Sequence, residues 1–179
     1  MKNTCPRQIG VMGAAAGPLV NDSNRKKAFA IGKLIAQNGC VLVNGATTGL
    51  PYEAAKGAKS NGGMVVGISP ARNQEEHTIG FSKPIDNMDA IIFTGYGYTA
   101  RNVLNIRSSD MVIILPGGQG TMTEFTIAYE EGKPIGILTG AGGVAEAIPA
   151  VIESYYKKSA AEVIFEDDPE SLLKKLLGT

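Results

Sequence analysis

The chain has 179 residues, of which 44% are hydrophobic and 19% are charged. This balance is ordinary for a soluble globular protein, and the length predicts one domain over residues 1–179 with a full buried core. Lysine plus arginine and aspartate plus glutamate each total 17. With no net basic charge to attract a polyanion, no nucleic-acid partner is expected.

In chain order, short apolar runs alternate with longer amphipathic runs. Strands are predicted at residues 8–12, 40–43, 64–68, 90–93, 111–115 and 134–138, with a weaker one at 162–165. Helices are predicted at residues 23–38, 51–61, 99–108, 121–131, 144–158 and 169–177. Continuous Val, Ile and Leu runs are typical of strands buried on both faces. The alternation therefore predicts an α/β fold, a doubly wound Rossmann-like parallel sheet of about seven strands with helices on both faces.

Cysteine usage and hydropathy predict a cytoplasmic protein without a membrane partner. Cys5 and Cys40 are too few and too far apart for a disulfide framework or a zinc site, so reduced thiols and no metal are expected. No segment approaches the roughly 20 apolar residues that a membrane span needs. The apolar residues 9–20 could also be the core of a signal peptide, but a strand and turn explain them better because only two basic residues precede them.

Glycine-rich turns follow most of the predicted strands at their carboxyl ends. In a parallel sheet these turns share one edge, where open α/β sheets bind ligands. The clearest turn reads LPGGQGTMTE at residues 115–124, where closely spaced glycines and a helix start expose backbone N–H groups that suit a phosphate. The predicted phosphate- or nucleotide-binding residues are Gly13, Gly45, Thr47, Thr48, Gly49, Gly117, Gly118, Gln119, Gly120 and Thr121.

Arg101 and Glu124 are the predicted catalytic residues on this edge. Glu124 falls in the predicted first turn after the glycine loop, and Arg101 follows the fourth strand, whereas Asp110 opens a strand and should face the opposite edge. Each candidate has an ordinary alternative. The residues TMTE match the capping box, in which Glu124 would bond the N-cap backbone N–H. Arg101 could be a solvated surface arginine.

Other residues argue against some classes of nucleotide-binding and catalytic site and leave two further interpretations open. The glycine spacings match neither the dinucleotide signature nor the Walker loop. His77 is the only histidine and lies in the polar, irregular residues 70–88, where we expect it to be exposed, so a Ser/His/Asp triad is not predicted. Tyr96 and Tyr98 could stack on a base, or could be half-buried loop residues. The loop at residues 44–49 could bond phosphate or ribose, or could be a plain turn.

The sequence PGGQGTMTE at residues 116–124 resembles the P-G-G-x-G-T-x-x-E signature of the LOG ("Lonely guy") family, which includes cytokinin riboside 5′-monophosphate phosphoribohydrolases. Arg101 falls where that family has its catalytic arginine, and residues 44–50 fall where it has a glycine-rich loop. The order of elements is similar over roughly residues 8–155. The resemblance therefore implies that residues 1–179 form one LOG-like nucleotide-binding domain.

The chain also departs from the family pattern. Asn44, Ala46 and Pro51 replace residues that are usually glycine, glycine and methionine, and Asn102 stands where the active hydrolases have lysine. The sequence ARN at residues 100–102 is more similar to the branch that includes molybdenum-cofactor carrier proteins. Some relatives carry a lysine decarboxylase label. No lysine here lies in a recognisable site for pyridoxal phosphate, so no cofactor is predicted.

The resemblance implies hydrolysis of a nucleoside 5′-monophosphate to free base and ribose 5-phosphate. The loop at residues 117–121 would hold the phosphate, and Glu124 would stabilise an oxocarbenium-like state or deprotonate water. Arg101 would keep Glu124 ionised through its positive charge, or contact the substrate. A non-catalytic nucleotide or molybdenum-cofactor carrier is the alternative. The resemblance also implies a homodimer, and the hydrolysis scheme requires no metal.

Overall fold

The computed structural model describes residues 5–178 and contains a seven-stranded, fully parallel sheet. The strands are β1 (Gln8–Met12), β2 (Val41–Asn44), β3 (Val65–Ser69), β4 (Ala90–Phe93), β5 (Met111–Ile114), β6 (Ile135–Leu138) and β7 (Val163–Glu166). Their spatial order is β4-β3-β2-β1-β5-β6-β7. This confirms the predicted α/β doubly wound fold, including the weak seventh strand.

In residues 5–178, five α-helices lie between strands and a sixth follows β7. They are α1 (Asp22–Gln37), α2 (Leu50–Ser60), α3 (Gly97–Arg107), α4 (Gln119–Glu130), α5 (Ile148–Ser154) and α6 (Pro169–Leu177). The predicted helix at residues 144–158 was wrong in extent, because a 3₁₀ turn at Gly143–Glu146 precedes a short α5. Pro149 explains the break, since proline has no N–H to continue a preceding helix but suits the first turn of a new one.

Two apolar layers enclose the sheet. Ile9 and Val11 of β1 point into a layer with α1, α2 and α6, whereas Met12 points into the layer beneath α3, α4 and α5. Glycine lets α1 and α2 approach closely, because a Cβ on Gly32 would lie 1.8 Å from the Ala54 carbonyl oxygen. None of the described helices is long and apolar enough to cross a membrane.

The turns at the carboxyl edge bind one another through backbone hydrogen bonds. Ala14 N donates to Pro116 O at 2.9 Å, and Leu50 N donates to Ala14 O at 2.8 Å. The turns after β1, β2 and β5 therefore form one layer beside the point where the strand order reverses. Asp110 lies at the opposite edge, as predicted, and accepts a hydrogen bond from Gln8 N at 2.7 Å.

Candidate functional site

A cavity of about 550 Å³ lies at this carboxyl edge. The turns after β1, β2 and β5 form part of its wall, and α3, α4 and the segment between β3 and β4 complete it. Eight of the residues predicted for the site border the cavity: Gly13, Gly45, Thr47, Arg101, Gly118, Gly120, Thr121 and Glu124. Its volume is within the roughly 300–1,000 Å³ range of small-molecule sites.

Four predicted binding residues lie behind or beside this wall. Gly49 has a φ of 74°, and a Cβ there would lie 2.2 Å from Ala14 O, so glycine permits two turns to pack. Thr48 Oγ1 donates to Ala15 O at 2.9 Å, so this hydroxyl holds the same two turns together. A Cβ on Gly117 would lie 2.1 Å from the hydroxyl oxygen of Thr121, and Gln119 is exposed at the helix start.

The amino end of α4 opens on the cavity. Its N-cap is Gly118, which has no side chain to satisfy the first N–H groups, and Met122 N is the donor that bonds Gly118 O at 3.0 Å. The N–H groups of the first three helical residues therefore have no partner within the helix. Gly118, Gly120 and Thr121 border the cavity. This geometry suits an oxyanion, because the N–H groups and the helix dipole both attract negative charge.

Glu124 does not form the capping box considered from the sequence. The helix begins at Gln119, so Glu124 is its sixth residue and lies in the second turn, not the first turn as predicted. Its carboxylate instead accepts a hydrogen bond from Asn105 Nδ2 at 3.3 Å. The capping-box interpretation is therefore wrong, and the carboxylate is held at the cavity by a side chain of α3.

Arg101 and Glu124 form a buried pair at the cavity. Arg101 Nη1 lies 3.9 Å from Glu124 Oε1, and the two side chains are only 7% and 9% exposed. The surface-arginine alternative is therefore wrong. Within residues 5–178, no acceptor bonds Arg101 Nε, although it is fully shielded from solvent. The guanidinium is thus buried with a long ion pair and with one donor that no acceptor of the described residues satisfies.

Burial determines the direction of both pKa shifts in this pair. It raises the pKa of the Glu124 carboxyl, and Arg101 and the hydrogen bond from Asn105 only partly oppose that rise. Burial also lowers the pKa of Arg101, against the attraction of Glu124. The expectation that Arg101 simply keeps Glu124 ionised therefore needs correction, because loss of hydration outweighs the charge pair. A carboxyl with a raised pKa is suited to exchanging protons near neutral pH.

Two neighbours hold the Arg101–Glu124 pair in place. A Cβ on Gly45 would lie 1.8 Å from Arg101 Nη1, so the turn after β2 packs directly on the guanidinium. With its amide oriented to satisfy both acceptors, Asn102 Nδ2 donates to Tyr98 O at 3.1 Å and to Glu124 Oε1 at 3.3 Å. Asn102, a departure from the hydrolase pattern, thus contacts the candidate catalytic carboxylate.

No sequence motif identified Asn105 or Lys83 at the site, whereas Tyr98 was already a candidate for stacking on a base. Asn105 lies one helical turn after Arg101, a spacing that could have identified it. Lys83 borders the cavity from the irregular segment, where no motif marks it. Tyr98 also borders the cavity, and its ring lies 5.9 Å from Arg101 Cζ and 5.4 Å from the ring of Phe81. Tyr96, the other tyrosine considered for stacking on a base, is 67% exposed.

His77 is buried, which contradicts the prediction that it is exposed. Its Nδ1 lies 2.8 Å from Ser69 Oγ, and its Nε2 lies 2.9 Å from Pro84 O. The polar segment that carries it folds over the end of β3, so the imidazole bridges that strand and the segment. In the part of the chain that the structure describes, no three His, Cys, Asp or Glu side chains are grouped to hold a metal ion.

Comparisons with known proteins agree with this architecture. An uncharacterised protein of Archaeoglobus fulgidus is 40% identical over 131 residues, which cover 73% of this chain and 79% of that protein. A probable cytokinin riboside 5′-monophosphate phosphoribohydrolase of Oryza sativa subsp. japonica is 28% identical over 165 residues. That match covers 83% of this chain and 64% of the rice protein, just under two thirds of its length.

A solved structure also resembles the chain over nearly all of its length. The molybdenum cofactor binding protein of Rippkaea orientalis superimposes with a TM-score of 0.76 and 30% identity, covering 98% of each chain. The sequence profile of the SLOG cluster4 family matches residues 6–173. Together with the glycine loop and the buried pair, these matches bear out the LOG-like resemblance. The chain belongs to the SLOG cluster4 family.

Proposed function

We propose that the chain, acting as one nucleotide-binding domain, binds a nucleoside 5′-monophosphate in the cavity and hydrolyses its N-glycosidic bond. One observation carries this proposal. The buried Glu124 carboxylate, 3.9 Å from Arg101, borders the same cavity as the partnerless N–H groups of α4. The proposed phosphate position and the acid thus border the same cavity, which supports a single ligand that contacts both.

The phosphate would bind at the amino end of α4. Gly118 and Gly120 leave the backbone open there, since a Cβ on either would have no heavy atom within 4 Å. The N–H groups of the first turn and the Thr121 hydroxyl would donate to phosphate oxygens. The sugar would then extend across the cavity toward the Arg101–Glu124 pair, and Tyr98 offers a face on which a base could stack.

Glu124 would act on water and on the sugar. Its Oε1 accepts from Asn105, whereas none of the described side chains donates to Oε2. Oε2 would accept a proton from water as the C1′–N bond breaks and the water oxygen bonds C1′. The proton would pass to the nitrogen of the departing base, so hydrolysis yields the free base and ribose 5-phosphate. The carboxylate would also stabilise the positive charge that develops on the sugar.

The experiment that tests this proposal compares two isosteric variants on α4. Wild type, Glu124→Gln and the exposed control Glu130→Gln are incubated with AMP, CMP, GMP and UMP, and the free base is measured by chromatography. We expect base release in the wild type and the control, and a loss of at least about 100-fold in Glu124→Gln with AMP still bound. Unchanged turnover in Glu124→Gln would exclude it as the catalytic base.

A non-catalytic carrier of a nucleotide or of the molybdenum cofactor is the second candidate. The similarity to the Rippkaea orientalis protein favours it, as does Asn102 at the position where the hydrolases have lysine. Nucleotide binding without base release from any of the four monophosphates would support the carrier.

We also propose a cytoplasmic location and a homodimer, with no nucleic-acid or membrane partner. Light scattering coupled to gel filtration tests the oligomeric state.

A further inference from the structure

Lys83 is a cation at the cavity that the proposed hydrolysis does not use. It lies in the segment between β3 and β4, is half-buried, and borders the same cavity as Arg101. Within residues 5–178 no carboxylate pairs with its ammonium group. Burial lowers the pKa of Lys83, and the positive charge of Arg101 lowers it further. Two cations therefore border one cavity, and Lys83 has no counterion among the described residues.

The backbone around Lys83 is held firmly, so the position of Lys83 at the cavity is built into the fold. Lys83 N donates to His77 O at 3.0 Å, and the next residue, Pro84, is bound through its carbonyl to His77 Nε2. The imidazole is completely buried and is bound on its other side by Ser69 at the end of β3. A buried histidine thus anchors the segment to the sheet on both sides of the Lys83 backbone.

The charged side chains bordering the cavity are Lys83, Arg101 and Glu124. The single carboxylate is already engaged by Asn105 and lies 3.9 Å from the guanidinium. Arg101 Nε is buried without an acceptor. Placing like charges together in a partly desolvated site is unfavourable unless an anion binds between them. The amino end of α4 and these two cations come from different elements, because α4 follows β5, whereas Lys83 precedes β4 and Arg101 lies on α3.

We propose that Lys83 and Arg101 together form a second anion-binding subsite, so the ligand carries two separate anionic groups. One group binds the N–H groups of α4, and the second, a phosphoryl or carboxylate group, binds between the ammonium and the guanidinium. Lys83 is then a specificity-determining residue. That the first group belongs to a nucleotide rests on the proposed function, whereas the two-anion arrangement does not.

Equilibrium dialysis with inorganic phosphate at constant ionic strength tests the subsite. We expect two phosphates per chain in the wild type and one in Lys83→Met, with the second phosphate weakened about tenfold or more. Lys83→Arg should keep two, because it retains the cation. Lys33→Met, which removes an exposed lysine of α1 that does not border the cavity, should also keep two. Circular dichroism checks that each variant is folded.

A single phosphate in the wild type, or two in Lys83→Met, would overturn the subsite. Saturating AMP should displace one of the two phosphates. If AMP displaces neither while Lys83→Met still loses one, the subsite stands and the proposed nucleotide function fails.

Ligands with a second phosphate test the ligand class. We expect ADP or adenosine 3′,5′-bisphosphate to bind the wild type about tenfold more tightly than AMP, and Lys83→Met to lose that preference. Equal affinity of the wild type for all three nucleotides would overturn the two-anion ligand.

Discussion

Replacing Gly45 with alanine should displace the Arg101 guanidinium without altering the local backbone. Gly45 is buried and is not among the glycines that need a left-handed conformation, so alanine can adopt its φ and ψ. The added Cβ, however, would lie 1.8 Å from Arg101 Nη1 and 2.7 Å from Arg101 Cζ. Both separations are far shorter than van der Waals contact.

The size of the displacement follows from these distances. A non-bonded contact of about 3.5 Å is needed where only 1.8 Å is available, so Nη1 must move by about 1.7 Å. The Arg101–Glu124 ion pair is already 3.9 Å long and would change by a large fraction of its length. Since a misplacement of about 1 Å can cost about 100-fold in rate, we expect base release to fall about 100-fold or more. Overpacking should also lower the free energy of unfolding by about 1–3 kcal/mol.

Two assays test this prediction. One measures base release from AMP, and the other maps phenylglyoxal modification of Arg101 by mass spectrometry, which needs no enzymatic activity. The wild-type guanidinium should be protected, and the displaced one should react. Gly80→Ala is the matched control, because its nearest heavy atom would be Glu76 Cγ at 3.4 Å, an ordinary contact. If Gly45→Ala releases base within about twofold of the wild type and Arg101 remains protected, the inferred packing is incorrect.

Four further predictions concern the same cavity and its support. Arg101→Met should move the rising limb of the pH–rate profile to higher pH, because Arg101 opposes the rise that burial causes in the pKa of Glu124; an unshifted profile would contradict this. Burial raises the pKa of Glu124 in the folded state above its value in the unfolded state, so the free energy of unfolding should fall as pH rises from the unfolded pKa to the folded pKa. Urea titrations at several pH values should show a shallower fall for Glu124→Gln than for the wild type. Gly117→Ala should weaken AMP binding, measured by calorimetry, about tenfold, because the added Cβ would lie 2.1 Å from the Thr121 hydroxyl oxygen. An unaltered affinity would show that the loop is not packed as tightly as these distances indicate. His77→Ala should lower the free energy of unfolding, measured in urea, by about 2–4 kcal/mol, because both hydrogen bonds of a buried imidazole are lost. A loss under about 0.5 kcal/mol would argue against the anchor.

The predicted elements were mostly correct because their signals are local. Continuous apolar runs identified all seven strands, and each predicted boundary lies within two residues of the observed one. The extent of the helix at residues 144–158 was wrong because a helical pattern of apolar residues does not show that α5 begins only at Ile148, with Pro149 in its first turn, and ends at Ser154. The alternation of strands and helices, together with the right-handed β-α-β connection, then predicted a doubly wound parallel sheet.

The candidate site was only partly predictable. That Arg101 and Glu124 share one edge followed from topology, because both lie after the carboxyl ends of parallel strands. Their burial and the two asparagine contacts did not follow. The pattern TMTE resembled a helix cap, yet the helix starts at Gln119, two residues before Thr121, with Gly118 as its N-cap.

The sequence by itself determined the parallel α/β fold and the edge that carries the glycine turns, since both depend on periodicity and on glycine among neighbouring residues. Only the tertiary structure decided that burial raises the pKa of Glu124, that Arg101 retains a vacant donor, and that His77 anchors Lys83 at the cavity. These properties depend on which distant segments exclude water from each group. Desolvation is a property of the packed molecule, and no local pattern of residues records it.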